Sequence, residues 1–228
     1  MFRLLARLAG VAVACLVAYE ASIYARIGWW TTHNPSTTAF IEIRRAILAE
    51  DRPGLPIRQT WVPYSRISPA LKRAVVAAED ARFLDHEGFD WEGIQKALEK
   101  NLKRGRIVAG GSTISQQLAK NLFLSGSRTP WRKAEEALIT LMLERTMSKQ
   151  RILEIYLNVI EWGVGVFGAE AAARHYYHVS AGQLSAGQAA KLAAMIPNPS
   201  FYDVNRNAPH LARKAGLILV RMESADIP

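Results

Sequence analysis

Apolar residues recur every three to four positions along most of this chain, the spacing of an α-helix that buries one face. The clearest case begins at Ser68, a candidate N-cap, with Pro69 in the first helical position and Leu71, Val75 and Ala78 following at helical spacing. No stretch alternates convincingly between apolar and polar residues over the length of a strand. The pattern therefore predicts a mainly α-helical protein without a strand ladder.

Other segments share this periodicity, and most of them start next to a capping residue, a glycine or a proline. They predict a short helix near 39–49, a helix over about 91–103, helices that begin after Gly110–Gly111, Thr129–Pro130 and Ser148, and a later helix over about 185–195. The prolines at 197 and 199 end that last helix. The segment WGVGVFG, residues 162–168, is predicted to be a glycine-rich turn.

The N-terminus has the pattern of a membrane anchor. Arg3 and Arg7 precede a short apolar stretch, Leu8 to Ala18, and the pair Trp29–Trp30 follows it. A span of about 20 residues has to include Glu20, which would reach the membrane surface or face a partner helix. The two arginines would hold the N-terminus in the cytoplasm, and the tryptophans would lie at the far interface.

A cleaved signal peptide is the alternative to an uncleaved anchor, because small residues such as Ala12 and Ala14 precede Cys15. We favour the anchor and predict three regions. Residues 1–30 form a cytoplasmic tip and transmembrane anchor, residues 31–60 a linker, and residues 61–228 the main domain.

The net positive charge of the chain favours an anionic binding partner but does not identify which kind. The 228 residues are 50% hydrophobic and carry a formal charge of +9, which suits an anionic lipid surface, a phosphorylated substrate or a nucleic acid. The single cysteine, Cys15, excludes an intramolecular disulfide and a cysteine metal cluster.

The first candidate site is the stretch VVAAEDARFLDHEGFD, residues 75–90. On a continuing helix, Glu79, Phe83 and His86 would share one face, and a carboxylate beside an aromatic wall acquires a raised pKa suited to general acid or base catalysis. An ordinary surface pair between Glu79 and Arg82 is the alternative, and spacing alone favours it.

The second candidate is GGSTISQQLAKNLF, residues 110–123. Thr113 and Gln116 fit a T-x-x-Q capping box, which places a helix N-terminus there with backbone N–H groups free for an anion. Gln117 and Lys120 continue the polar face of that helix, so Lys120 is a candidate phosphate ligand. A capped amphipathic helix with a solvated polar face explains the same pattern.

The third candidate is the helix predicted after Thr129–Pro130. Arg128, Arg132 and Lys133 concentrate positive charge at its start, where the helix dipole prefers acids. An anionic ligand would explain this unfavourable cluster, although solvated side chains would too. Glu136 stands four residues after Arg132, the spacing of an ion pair.

Other site types fail on their residues. The stretch GRIVAGGS, 105–112, resembles a nucleotide-binding loop but has Gly111 where the lysine must stand. The histidines of HYYH, 175–178, have no third zinc ligand near them in the sequence. The acyl-transfer motifs S-x-x-K and K-T-G do not occur in the chain.

Three stretches together, AAEDARFLDHEGFD, GGSTISQQLAKNLF and RKAEEALITLMLERTMSKQRILEIYLN, resemble in order and spacing the peptidoglycan glycosyltransferases of glycosyltransferase family 51. The resemblance covers roughly Trp61 to Pro199. It implies a mainly helical, lysozyme-like glycosyltransferase fold with a head lobe and a smaller membrane-proximal jaw. Without acyl-transfer motifs, the chain resembles a monofunctional member rather than a bifunctional penicillin-binding protein.

Members of that family polymerise lipid II into β-1,4 glycan strands and release undecaprenyl diphosphate, and this reaction is what the resemblance implies. It implies inversion in one displacement, and no obligatory cofactor beyond an optional Mg²⁺ or Mn²⁺ at the diphosphate. The expected partners are lipid II, the growing glycan chain, membrane lipid and other cell-wall synthesis and division proteins, with no nucleic acid. The expected location is the bacterial inner membrane, single-pass, with the catalytic domain on the periplasmic side.

The resemblance also assigns residues. It makes Glu79 the general base for the acceptor hydroxyl, and Glu136 a second carboxylate that assists the diphosphate directly or through a divalent cation. Lys120 and Arg128 are the expected diphosphate cations. The substrate-binding positions are Asp80, Phe83, His86, Ser112, Thr113, Gln116, Gln117, Lys120, Arg128, Arg132 and Lys133.

Two other functions stay open. A lysozyme-like lytic glycosidase acting on preformed glycan would also use two carboxylates. A non-catalytic basic membrane adaptor would need neither of them.

Overall fold

A computed structural model describes residues 1–106, 110–124, 126 and 129–228. Within them the chain is mostly helical, which confirms the predicted fold class. The α-helices are α1 (Phe2–Trp29), α2 (Ala39–Asp51), α3 (Pro69–Glu79), α4 (Trp91–Arg104), α5 (Ile114–Phe123), α6 (Pro130–Thr146), α7 (Lys149–Val159), α8 (Ala169–Tyr177), α9 (Ala186–Met195), α10 (Pro199–Val204) and α11 (Pro209–Arg221).

A small sheet was not predicted. Its strands are β1 (Arg58–Gln59), β2 (Glu161–Gly163) and β3 (Val166–Phe167), in the order β1-β3-β2. β2 and β3 form an antiparallel hairpin whose turn contains Gly165 at φ 72°, and β1 lies parallel to β3. Strands this short show no alternation, so the sequence pattern of 162–168 indicated only the turn.

Local capping explains where most of the predicted helices begin. Ser68, Thr113, Thr129, Ser148 and Ser185 each accept a hydrogen bond at their helix N-terminus from a backbone N–H of the first turn. These bonds satisfy donors that would otherwise have no partner in the helix. The interior is built from α3, α9 and α11 packed together and from α5 packed on α6 and α7.

The N-terminal helix α1 is long and apolar enough to cross a membrane. Its most apolar 18-residue window has a mean hydropathy of 1.7, and none of that window is buried against the protein. The last turns differ, because Ile23 and Ile27 are fully buried in the main core. The C-terminal end of the helix is therefore part of the folded domain.

Polar contacts also hold the end of α1. The Tyr19 hydroxyl donates to Glu135 Oε1 of α6 at 2.8 Å. After the helix, Arg151 of α7 donates from Nε to Trp30 O at 2.9 Å and from Nη2 to His33 O at 2.6 Å. The helix thus has a defined position on α6 and α7.

Candidate active site

Glu79 is the last residue of α3, not part of a longer helix. Asp80 follows as the C-cap with an extended φ of −162°, and the chain turns there. The expected helical face shared by Glu79, Phe83 and His86 is therefore wrong. The residues are brought near one another by a compact turn whose structure depends on contacts from other parts of the chain.

Asp80 holds that turn through both carboxylate oxygens. Oδ2 accepts from the backbone N–H of Ile114 at 3.0 Å, and Oδ1 lies 2.9 Å from His86 Nε2. Gly88 N donates to His86 Nδ1 at 3.1 Å, so the ring proton is on Nε2 and points to Asp80. The buried carboxylate ties the end of α3 to the start of α5.

The N-terminus of α5 has the predicted capping box. Thr113 and Gln116 each bond the other's backbone N–H, and the Thr113 hydroxyl donates to Gly88 O at 2.7 Å. Of the first N–H groups of the helix, that of Ile114 is taken by Asp80 and that of Gln116 by Thr113. The expectation of free N–H groups for an anionic ligand is corrected, because the protein's own carboxylate lies there.

Phe83 is fully buried, and its ring is covered by Lys149 at 4.6 Å from the centroid. Lys149 Nζ also donates to His86 O at 2.6 Å and to Glu144 Oε1 at 2.8 Å. Through these contacts with Lys149, Phe83 and His86 help to stabilise the turn that follows α3.

The surface-pair alternative for Glu79 is not what the structure shows. Arg82 contacts Asp85, Asp90 and Glu92 instead. Among the residues that the structure describes, no arginine forms a salt bridge with Glu79.

Glu79 ends a hydrogen-bonded chain that begins in the core. The fully buried Tyr156 donates from its hydroxyl to Gln117 Oε1, and Gln117 Nε2 donates to Glu79 Oε2, each at 2.8 Å. Burial raises the pKa of Tyr156 well above its ordinary value, so this hydroxyl keeps its proton and remains a donor. Gln117 is fixed in the orientation that presents its amide N–H to the carboxylate.

Burial raises the pKa of the Glu79 carboxyl above its ordinary value, while the Gln117 hydrogen bond and the charges of Lys214 and Lys120 oppose the rise. A carboxylate tuned in this way can accept a proton near neutral pH. Burial lowers the pKa of both lysines, whereas the negative charge of Glu79 favours their protonated forms.

Lys214 is a site residue that the sequence analysis missed. It lies on α11, far along the chain from the other candidates, and no motif in its surroundings marks it. Only the packing of α11 on α3 brings it to Glu79.

Glu136 is buried on α6, with 4% of its surface exposed. Its Oε2 accepts from Arg132 Nη1 at 2.7 Å, and its Oε1 pairs with Lys133 Nζ. The predicted Arg132–Glu136 pair is therefore present. The negative charge of Glu136 also favours the protonated form of Lys120, as the charge of Glu79 does. Lys120 therefore interacts electrostatically with both carboxylates.

Among the described side chains, those near Glu136 do not form a ready ligand set for a metal ion. Both oxygens of Glu136 are engaged by cations of its own helix. Over residues 1–106, 110–124, 126 and 129–228, no three His, Cys, Asp or Glu side chains converge as a ligand set.

A cleft of about 170 Å³ opens beside Glu79 and Asp80, with Thr113 and the exposed Ser112 on its opposite wall. The candidate Arg128 lies outside the described residues. In such an arrangement the recessed carboxylate can accept a proton from a group bound in the cleft. The cations around Lys120 can stabilise an anion that departs from another group.

The chain matches known proteins over most or all of its length. Residues 49–223 match the family model described as Transglycosylase. The chain is 63% identical over 228 residues to the biosynthetic peptidoglycan transglycosylase of Laribacter hongkongensis, covering all of both chains. It is 63% identical to the protein of that name from Methylobacillus flagellatus, over 96% of this chain and 95% of the relative. The namesake from Chromobacterium violaceum is 59% identical over the full length of both.

Proposed function

Since the chain belongs to the transglycosylase family and is a peptidoglycan transglycosylase, we propose that it polymerises lipid II into linear β-1,4 glycan strands and releases undecaprenyl diphosphate. The observation that carries the proposal is Glu79, a recessed carboxylate with a raised pKa that opens onto a cleft near several cations.

In the proposed step, Glu79 accepts the proton of the 4-hydroxyl of the incoming N-acetylglucosamine. The oxygen forms a bond to the anomeric carbon of the donor. The bond from that carbon to the diphosphate oxygen breaks, and its electron pair leaves with the diphosphate. An α-linked donor then gives a β-linked product by inversion. Gln117, held by Tyr156, keeps the base oriented for this transfer.

The departing diphosphate gains negative charge, and Lys120, Arg132 and Lys133 would stabilise it. Glu136 fixes two of these cations through its ion pairs. Arg128 stays a prediction as a further diphosphate ligand. An optional Mg²⁺ or Mn²⁺ also stays a prediction, and no step of this mechanism uses one.

We further propose that α1 anchors the chain as a single pass in the bacterial inner membrane, with the catalytic domain on the periplasmic side. The arginines Arg3 and Arg7 at its start and the tryptophans at its end support that orientation. Other cell-wall synthesis and division proteins remain expected partners.

The test is polymerisation of labelled lipid II by full-length protein, followed on a gel that resolves glycan strands. Glu79→Gln removes the base and should reduce strand formation by about 10²–10⁴-fold. Glu92→Gln, an exposed acid on α4, is the matched control and should behave as the parent does. Strand formation by Glu79→Gln at the parental rate would refute the role of Glu79.

The same samples given preformed glycan test the lytic alternative. Cleavage of glycan without polymerisation of lipid II would assign the chain to the lytic class. Absence of both activities from the parent, with cellular function retained in Glu79→Gln, would favour the adaptor.

A further inference from the structure

A second cavity, of about 630 Å³, lies away from Glu79 between the C-terminal ends of α8 and α9 and the segment that leads into α11. None of the catalytic or substrate-binding candidates that the structure describes lines it. Its polar and aromatic lining residues are Tyr176, Tyr177, Lys191, Asn205, Arg206 and Asn207.

One aromatic wall of this cavity is held in place. The Tyr176 hydroxyl lies 2.8 Å from Asp203 Oδ1 and 3.1 Å from Trp162 O. The guanidinium of Arg206 stands over the Tyr176 ring, 5.5 Å from its centroid. A ring fixed at its edge and covered on one face offers a rigid apolar surface next to a cation, at little cost in conformational freedom on binding.

The charged groups of the lining are both positive. Lys191 and Arg206 line the cavity, and neither forms a salt bridge with any residue that the structure describes. The Asp203 carboxylate beside the cavity accepts from the Tyr176 hydroxyl and from the backbone N–H of Val164 at 3.1 Å, and it lies 3.5 Å from His175 Nε2. The cavity therefore suits a ligand with carboxylate groups.

The remaining polar groups are amides. Asn205 donates from Nδ2 to Phe201 O at 2.8 Å, which orients the side chain and leaves its carbonyl oxygen as an acceptor. Asn207 supplies a second amide on the same exposed segment. Amide groups beside aromatic rings provide donors and acceptors for hydroxyl and acetamido groups, while the rings pack on the apolar faces of a sugar.

We infer that this cavity binds the growing glycan strand, an amino-sugar polymer whose peptide substituents carry carboxylates. The inference rests on the proposed function and adds a second contact with the polymer outside the catalytic cleft. Ala208 borders the cavity, and Lys214, which acts on Glu79, follows six residues later. Six residues along a helix rise by about 9 Å, so the cavity lies within two helical turns of Lys214 along α11.

The test uses full-length protein and two defined tetrasaccharides of the glycan, one with its peptide stems and one without, in which the carboxyl groups that held the stems are capped as neutral amides. Binding is measured by calorimetry for the parent and for the double variant Lys191→Ala/Arg206→Ala. The matched control is Arg213→Ala/Arg221→Ala, which removes two exposed cations of α11 outside the cavity. Thermal unfolding verifies that each variant is folded.

The inference expects the cavity variant to bind the peptide-bearing tetrasaccharide about tenfold or more weakly, on the scale of one lost charge-assisted hydrogen bond. The control variant should keep parental affinity, and the peptide-free sugar should be insensitive to both. Equal affinity of parent and cavity variant would overturn the inference. So would absence of binding to the parent, or equal affinity of the parent for the two sugars.

Strand length separates this inference from the proposed function. The cavity variant should make shorter strands from lipid II while the rate of the first coupling stays parental. Strands of parental length would count against the cavity. A parent that binds the peptide-bearing tetrasaccharide as expected but makes no strands would refute the proposed function and leave the cavity assignment standing.

Discussion

At the scale of single residues, competing effects set the pKa of the Glu79 carboxyl. Burial raises the pKa of its carboxyl, and the hydrogen bond from Gln117 is the strongest of the influences that lower it. The base must be ionised to accept a proton, so activity should rise with pH through this raised pKa. The acidic limb of the pH profile therefore reports on the surroundings of Glu79.

Gln117→Leu should move that acidic limb to higher pH. The substitution removes the only hydrogen bond from Gln117 to the carboxylate, at 2.8 Å, so the charged form of Glu79 loses stabilisation. A hydrogen bond to a charged group favours the ionised form, so its loss raises the pKa of the Glu79 carboxyl further.

The measurement is kcat/KM for lipid II polymerisation as a function of pH. Gln95→Leu, an exposed glutamine of α4, is the control and should leave the profile in place. A parental acidic limb in Gln117→Leu would contradict the proposed tuning of Glu79.

At the scale of elements, Asp80 joins two helices that are distant in the sequence. Asp80→Asn keeps the shape of the side chain but turns one acceptor into an N–H donor. Either Ile114 N or His86 Nε2 then loses its acceptor. The free energy of unfolding should fall by about 1–3 kcal/mol, measured by urea denaturation. Asp85→Asn, on the exposed side of the same turn, should change it far less; equal losses would argue against the bridging role.

The exposed face of α4 should contact the bilayer. Trp91 is 71% exposed, Leu98 58% and Leu102 72%, all on a helix whose other exposed residues include Lys96 and Lys100. An amphipathic helix with apolar and basic residues favours a lipid interface.

In vesicles with brominated acyl chains, tryptophan fluorescence should be quenched, and Trp91→Phe should reduce the quenched fraction. Trp162→Phe is the matched control, because Trp162 is fully buried and should not be quenched. Unchanged quenching in Trp91→Phe would place α4 away from the acyl chains.

The start of a helix was predictable where the residues that determine it lie close together in the sequence. Capping residues and apolar periodicity lie within a few positions of one another, so helix starts such as Ser68 and Thr113 could be located from the sequence. The end of α3 at Glu79 could not, because Asp80 leaves helical geometry to bond Ile114, which belongs to a different helix. Lys214 was hidden for the same reason, since tertiary packing alone brings it to the base.

At the scale of the whole molecule, the proposed membrane anchor and the folded domain share one helix. Removal of residues 1–18 takes away only exposed positions of α1. Removal of 1–28 also takes Ile23 and Ile27 from the core, where each buried isoleucine contributes about 2–5 kcal/mol. The shorter truncation should therefore keep the parental unfolding temperature in detergent, and the longer one should lower it. Equal unfolding temperatures would show that the docked end of α1 adds no stability.

Because α1 is continuous, it would also fix the orientation of the catalytic domain relative to the proposed membrane. From Phe2 to Trp29 the helix has no break. The angle about the helix axis between the side proposed to face lipid and the side that packs on the domain is therefore fixed. Each residue added between them would turn the domain by about 100° about the helix axis and lift it by about 1.5 Å. The direction in which the cleft faces, relative to the bilayer plane, would therefore depend on the number of residues in α1 between these two sides.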